Sequence, residues 1–270
     1  MTGFQNKVAL ITGSSQGIGK AIALELAKNG CVVILNGRKQ DKLEIVKSEI
    51  EKLGGTAHAI AADVSNFSET QNLIKETIQR CGKIDFLINN VGVSSRGYIS
   101  ELHPDVLQQV FASNVNGCIF PTQLALAELR KSKGSVIFIS SLAAIHGLPG
   151  LAPYSASKMA LQAFAEALRI EEHAHQIHVG ILRVAKTAIE HQKQTVGANG
   201  ELQVLKARTN EKVLSMESVA QDCLKLIENR RFTNTQTLLG KINLLLNRIS
   251  PLLVERILIK NIHRFKEESQ

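Results

Sequence analysis

A chain of 270 residues with 44% hydrophobic and 21% charged content can bury a substantial core, and a single α/β domain is the default at that length. The net charge of +8 suits an anionic ligand, but the cations are scattered and only 4% of the residues are aromatic, which argues against nucleic acid and for a polyphosphate cofactor or an anionic membrane. Cys31, Cys81, Cys118 and Cys223 are too widely spaced for a zinc site or a disulfide framework, so no metal is expected, and the polar start without any apolar run of bilayer length predicts a cytoplasmic protein without signal peptide or transmembrane helix.

In chain order, apolar runs rich in β-branched residues occur over residues 8–12, 32–36, 57–61, 86–89, 136–140 and 179–183, and helical periodicity fills 20–29, 41–53, 67–81, 104–131 and 153–175. Continuous rather than alternating apolarity marks strands covered on both faces, hence a parallel sheet with crossover helices in a Rossmann-type, doubly wound α/β plan. The sequence then predicts a loop-and-helix insertion over about 187–208 as a lid, a helix over 217–229 and a short last strand near 236–239. Residues 1–240 form the expected dinucleotide-binding catalytic domain. Residues 241–270 extend it as a basic amphipathic helix that either docks on protein or lies on a membrane.

The first strand runs straight into Gly13-Ser14-Ser15-Gln16-Gly17-Ile18-Gly19 and a helix. Glycines at this point let the backbone turn tightly and approach a pyrophosphate, whose charge the helix N-terminus favours. The second strand ends in Asn36-Gly37-Arg38-Lys39 without a carboxylate to accept a ribose 2′-hydroxyl. Ser14, Asn36 and Arg38 could instead surround a 2′-phosphate, which favours NADP(H) over NAD(H); the plainer reading of Arg38 is a solvated turn. After the third strand, Asp63-Val64 offers an acceptor and an N–H to an adenine, or Asp63 caps the next helix. Asn90, Val91 and Gly92 close the fourth strand with small and amide side chains suited to a turn beside the ribose.

Carbonyl reduction requires an acid for the developing alkoxide. Tyr154 and Lys158 share a helix face at i and i+4, so the lysine can hold the ribose hydroxyls and lower the cost of the phenolate. Ser141 closes the fifth strand, where a hydroxyl could bond the substrate oxygen. Asn114 lies mid-helix, where asparagine is disfavoured unless its amide has work: holding a water that relays protons to Lys158, or satisfying a local kink. Leu142, Ala143, Ile145, Leu148 and Leu151 suggest an apolar small-molecule substrate, and His146 is either a substrate contact or an ordinary surface or core histidine.

The glycine loop, Asp63, the Asn89-Asn-x-Gly92 turn, Asn114, Ser141 and Tyr154-x-x-x-Lys158 together resemble the classical short-chain dehydrogenase/reductase family over roughly residues 5 to 240. The resemblance implies a seven-stranded parallel sheet and an Asn-Ser-Tyr-Lys tetrad at Asn114, Ser141, Tyr154 and Lys158. It also implies a homodimer or homotetramer built on the helices carrying Asn114 and Tyr154. After the sixth strand the family has Pro-Gly and a threonine contacting the nicotinamide amide; here Val184-Ala185 stands in that place and Thr187 is the candidate threonine. The expectation is an NADP(H)-dependent oxidoreductase for a lipid-like, steroid-like or 3-oxoacyl substrate; the alternative is a non-catalytic NADP(H)-binding scaffold or sensor.

Overall fold

A computed structural model describes residues 3–188, 194–205, 213–263 and 265. Six strands fall where the apolar runs lie: β1 (Val8–Ile11), β2 (Val32–Gly37), β3 (Thr56–Ala61), β4 (Phe86–Asn89), β5 (Ser135–Ser141) and β6 (His178–Val184). With β9 (Thr233–Thr235) they form one sheet in the order β3-β2-β1-β4-β5-β6-β9, parallel throughout. The chain leaves β1 toward β3 and then returns to the other side at β4. The β1/β4 boundary is therefore the switch point, where a crevice opens beyond the carboxyl ends of the strands.

The two-residue period of the strands divides the core. Ala9, Ile11, Val33, Leu35, Ile137 and Ile139 pack with α1 (Gly17–Lys28), α2 (Gln40–Lys52) and α7 (Met216–Glu228). Val8, Leu10, Ile34, Val136 and Phe138 pack with α3 (Phe67–Cys81), α5 (Gly117–Ser132) and α6 (Ala152–Glu171) on the other face. Each such side chain contributes about 1.5–3 kcal/mol on full burial. Burial also pushes the Cys31 and Cys223 thiols up to about 12, which keeps them protonated.

Several boundaries differ from the sequence expectation. The helix predicted over 104–131 is interrupted: α4 (Pro104–Phe111) gives way to a π-helical turn over Ala112–Asn116 before α5 begins. The helix predicted to reach 175 stops at Glu171, and the chain leaves the short 3₁₀ turn after it through Gln176 at φ 58°. The last strand is three residues earlier than expected, because Thr237 adopts φ 63° and its side chain caps Gly240, starting α8 (Leu238–Ile249) where a strand end was predicted.

The insertion carries no helix among its described residues. It forms an antiparallel hairpin, β7 (Gln194–Val196) and β8 (Leu202–Val204), while 189–193 and 206–208 of the expected lid lie outside the described residues. The hairpin is tied to the segment after β4: Val196 and Arg96 exchange backbone bonds with Ser94 and Val196, and Ser94 Oγ donates to Thr195 Oγ1 at 2.8 Å. The C-terminal extension is two helices, α8 and α9 (Pro251–Lys260), broken at Ser250-Pro251 because proline cannot donate within a helix. No helix among the described residues is long and apolar enough to cross a membrane.

Asp85 fixes the lower end of the sheet. Its buried carboxylate accepts from the Val8 N–H at 2.9 Å, from Lys7 at 2.9 Å and from Lys83 at 3.0 Å. Burial alone would raise its pKa, but those three donors outweigh burial and hold the carboxyl below its ordinary value of 3.8. Asp85→Ala is expected to cost about 1.5–3 kcal/mol in urea unfolding, the range for hydrogen bonds to a charged group. Because the folded pKa is depressed, the wild-type advantage is full above the ordinary pKa and fades as the pH falls below it; an advantage persisting undiminished at pH 2 contradicts this assignment.

Candidate active site

The site is assembled at the carboxyl ends of β1, β4 and β5. Gly13 and Gly17 turn the loop after β1 at φ 64° and 62°, and a Cβ at Gly19 would stand 2.4 Å from the Gly13 carbonyl oxygen, so the first turn of α1 can close only on glycine. Gln16 caps α1 without a side-chain bond and no acidic residue occupies its first turn. The N-terminus of α1 therefore presents the positive end of a helix dipole, which fits the pyrophosphate of a dinucleotide.

Asn90 clamps this loop from β4: its Nδ2 donates to the carbonyls of Thr12 (3.1 Å) and Gly13 (2.9 Å), while its own N–H donates to Thr12 Oγ1. Val91, partly buried, continues the same turn, its N–H also donating to Thr12 Oγ1.

The expected cluster of Ser14, Asn36 and Arg38 does not form as a set. Ser14 and Asn36 are buried and bonded to each other, and both Asn36 amide hydrogens are spent on the carbonyls of Ile60 and Ala62 at 3.2 Å. The pair is a latch between the glycine loop, β2 and β3. Arg38 stands exposed just after β2 with no ion pair among the described residues, and Ser15 Oγ lies beside Gly37. A 2′-phosphate would thus meet Arg38 and Ser15 rather than the buried pair.

Asp63 does not cap α3; Asn66 does, accepting from the Glu69 N–H. Asp63 Oδ1 instead accepts from both the N–H and the hydroxyl of Ser65, and Val64 is packed into the core beneath it.

Around Lys158 three elements converge. Lys158 is 4% exposed, and its ammonium group donates to the Ile139 carbonyl of β5 at 3.0 Å and lies 5.9 Å from the centroid of the Tyr154 ring, one turn away on α6. A Cβ at Gly92 would meet Lys158 Nζ at 3.1 Å and Asn114 Oδ1 at 3.2 Å, so only the bare glycine backbone passes between them. Asn114 sits inside the π-helical turn, fully buried. Its Oδ1 accepts from the Val93 N–H (2.7 Å), and its Nδ2 donates to the Val93 carbonyl (3.0 Å) and to Ser157 Oγ (2.9 Å). Its amide thus ties the π-helical turn to the chain after β4 and to α6.

Ser141 ends β5 opposite Val184 and caps the short turn that follows, its Oγ accepting from the Ala143 N–H at 3.1 Å. Ser140 points into the core. Tyr154 is half-buried, at the start of α6. The sequence reading passed over Ser155 and Ser157, two residues that help bind this helix to its surroundings: Ser155 Oγ accepts from Leu148 N–H, and Ser157 bridges Asn114 to the Tyr154 carbonyl. Their signal was present, since two serines inside a helix need partners.

Beyond β6 the structure replaces proline chemistry with strand chemistry. Val184 stays in register with Ser141, and the Ala185 N–H donates to Gln236 Oε1. Thr187 is 7% exposed and bridges to Leu214. His146 faces the C-terminal extension, its Nδ1 2.9 Å from Asn247 Oδ1. A recess of about 540 Å³ lined by Arg169, His173, Gln176 and Arg230 lies at the opposite, amino end of β6. It is remote from Tyr154, and the Arg230 guanidinium already serves the Lys133 and Gln176 carbonyls.

This arrangement agrees with known proteins. The short chain dehydrogenase family model matches residues 7–198. The chain is 35% identical over 226 residues to 11-beta-hydroxysteroid dehydrogenase-like 4A of Arabidopsis thaliana, covering 83% of this chain and 72% of that one. It is likewise 35% identical over 178 residues to 3-ketodihydrosphingosine reductase of Bos taurus, covering 64% of this chain and about half (54%) of the bovine protein. A metagenomic short-chain oxidoreductase solved with NADP superposes with a TM-score of 0.72 at 25% identity, covering 86% of this chain and 96% of the other. The fold is also that of a short-chain dehydrogenase/reductase from Burkholderia phymatum solved with NAD, with a TM-score of 0.83 at 23% identity over 94% of this chain and 96% of its counterpart. The chain belongs to the short-chain dehydrogenase family of oxidoreductases.

Proposed function

We propose that the protein is an NADP(H)-dependent oxidoreductase that interconverts a carbonyl and an alcohol on an apolar small molecule. The observation that carries this reading is the buried Lys158 ammonium, which meets a backbone carbonyl, the Tyr154 ring and no carboxylate among the described residues. A buried cation without an anionic partner is costly and favours negative charge nearby. The Tyr154 phenolate is the anion this chain supplies one helical turn away.

In the proposed mechanism a nicotinamide cofactor, when bound, supplies hydride to the carbonyl carbon or removes it from the alcohol. Ser141 Oγ orients the substrate oxygen by a hydrogen bond. Tyr154 Oη gives its proton to the developing alkoxide, or takes it in the reverse direction, and the Lys158 charge stabilises the phenolate left behind. Asn114 positions the lysine through the π-helical turn and Ser157. When the cofactor is bound, the amides of residues 13–19 would hold its pyrophosphate, Asp63 and Val64 its adenine, and Arg38 with Ser15 a 2′-phosphate.

An apolar substrate is supported by Leu148 and Leu151, which are half-buried close to Tyr154 in the chain. The names of the relatives, a hydroxysteroid dehydrogenase-like protein and a ketodihydrosphingosine reductase, support a steroid-like or long-chain 3-oxo compound. A homodimer or homotetramer packed on α5 and α6 is supported by the family and by the exposed Leu107 and Ile170 on α4 and α6.

Turnover of NADPH with a panel of hydrophobic ketones is expected, and Tyr154→Phe should lower kcat by about 10²–10⁴-fold, the usual worth of general acid catalysis, while cofactor binding persists. Cofactor binding without turnover of any carbonyl or alcohol would move the assignment to a scaffold or sensor. Arg38→Asp is expected to weaken NADPH binding by about ten- to hundred-fold, the equivalent of one charge-assisted bond, with little effect on NADH; equal effects on both cofactors would remove Arg38 from the phosphate site.

A further inference from the structure

Of the eighteen large apolar side chains exposed among the described residues, ten lie between residues 238 and 262. Their arrangement on α8 reverses that of a helix packed on its own domain. Leu238, Ile242, Leu245 and Ile249 recur at i, i+4, i+7 and i+11, which places them on one face, and they are 74%, 44%, 58% and 73% exposed. The opposite face, marked by Gly240 and Asn247, is the one that meets protein. Leu142 fills the space beside Gly240, and Asn247 donates to the Ile145 carbonyl at 2.7 Å and bonds His146. On α9 only Val254 is buried, and Leu252, Leu253, Ile257 and Ile259 are exposed. Lys241, Arg248, Arg256 and Lys260 are interleaved with this surface, and within α8 and α9 only Glu255 opposes them.

We propose that the outward face of α8 and α9 seats the protein on the surface of a lipid bilayer that contains anionic lipid. Helices of 12 and 10 residues are too short to span a bilayer, which takes about 20. They are suited to lying in the interface, with the apolar stripe sunk below the headgroups and the cations level with the phosphates. The charge pattern selects this occupant over a second copy of the chain, because a two-fold contact through this face would bring two sets of the same four cations together. The seat lies directly against the loop joining Ser141 to the helix of Tyr154, so the substrate side of the site opens beside the bilayer. The docking itself stands on the exposed face and its charge, independent of any catalytic reading.

Co-sedimentation of the full chain with phosphatidylcholine vesicles containing 30 mol% phosphatidylserine tests it. Binding is expected to be at least ten-fold tighter than to phosphatidylcholine alone and to weaken in high salt. The exposed triple variant Ile242→Ser, Leu245→Ser and Ile249→Ser should lose at least ten-fold in vesicle binding with its Tm unchanged, and Lys241→Glu with Arg248→Glu should abolish the phosphatidylserine preference. The chain contains no tryptophan, so Ile249→Trp gives a single reporter whose emission should shift to the blue on adding vesicles. Absence of vesicle binding by the wild-type chain overturns the proposal, as does binding that the triple variant leaves intact. Self-association in sedimentation velocity that the triple variant removes, without vesicle binding, would assign the face to a second copy.

Discussion

Lys158 is 4% exposed and its ammonium group has the Ile139 carbonyl as its hydrogen-bond partner among the described residues, an arrangement that stands only because three separate elements are forced to meet around it. Burying a cation without a counterion costs several kcal/mol. The cost is offset by the packing of α6 on β5 and β6 and by the Asn114 side chain, which fills all three of its described bonds in joining the π-helical turn to Val93 and Ser157. A continuous α-helix through residues 112–116 would carry Asn114 around the axis and away from Gly92. The turn is thus a consequence of the site, and the sheet order supplies the rest by placing β1, β4 and β5 side by side.

Much of this was legible in the sequence. Apolar runs covered on both faces read directly as parallel strands, and six of the seven strands fall within about two residues of their apolar runs, because burial on two sides leaves the backbone little choice. The glycine loop, Tyr154 and Lys158 were legible for a similar reason, since their spacing is fixed by backbone geometry. What was not legible depended on tertiary partners. A single helical pattern predicted over 104–131 concealed the π-helical turn, which is held by the partners of Asn114 on Val93 and Ser157. Ser14 and Asn36 carry the right chemistry for a phosphate, yet a carbonyl of β3 and a neighbouring hydroxyl claim them first. The β7–β8 hairpin was hidden because its partner strand segment, around Ser95, lies a hundred residues earlier.

The C-terminal extension illustrates the opposite case. Its amphipathic pattern was evident, and helices formed where the pattern predicted, but periodicity states only that a helix has an apolar side and not what that side touches. The contacts resolve this: a glycine and an asparagine are the docking groups, and leucines and isoleucines are turned away from the domain. A soluble protein gains nothing from such an orientation, since each exposed leucine forfeits the roughly 1.5–3 kcal/mol that its burial would contribute. The forfeited burial is therefore the strongest reason to seek an apolar medium outside the protein.

The replacement of the family's Pro-Gly by Val184-Ala185 bears on how α6 is held. A proline at 184 would end β6 and free the chain beyond it; valine keeps the strand paired to Ser141, and Ala185 gains a bond to Gln236. One residue earlier, Arg183 is 1% exposed, with Nη2 on Gln162 Oε1 at 2.9 Å and Nη1 on Thr235 Oγ1. Burial first, and then the charge of Arg248, pull its pKa down from the ordinary arginine value. Gln162 lies one helical turn beyond Lys158, so α6 is fastened to the sheet at two successive turns, by a lysine reaching β5 and by an arginine reaching up from β6. Keeping Val184 in β6 and burying a second cation under the same helix ties the position of Tyr154 to the sheet.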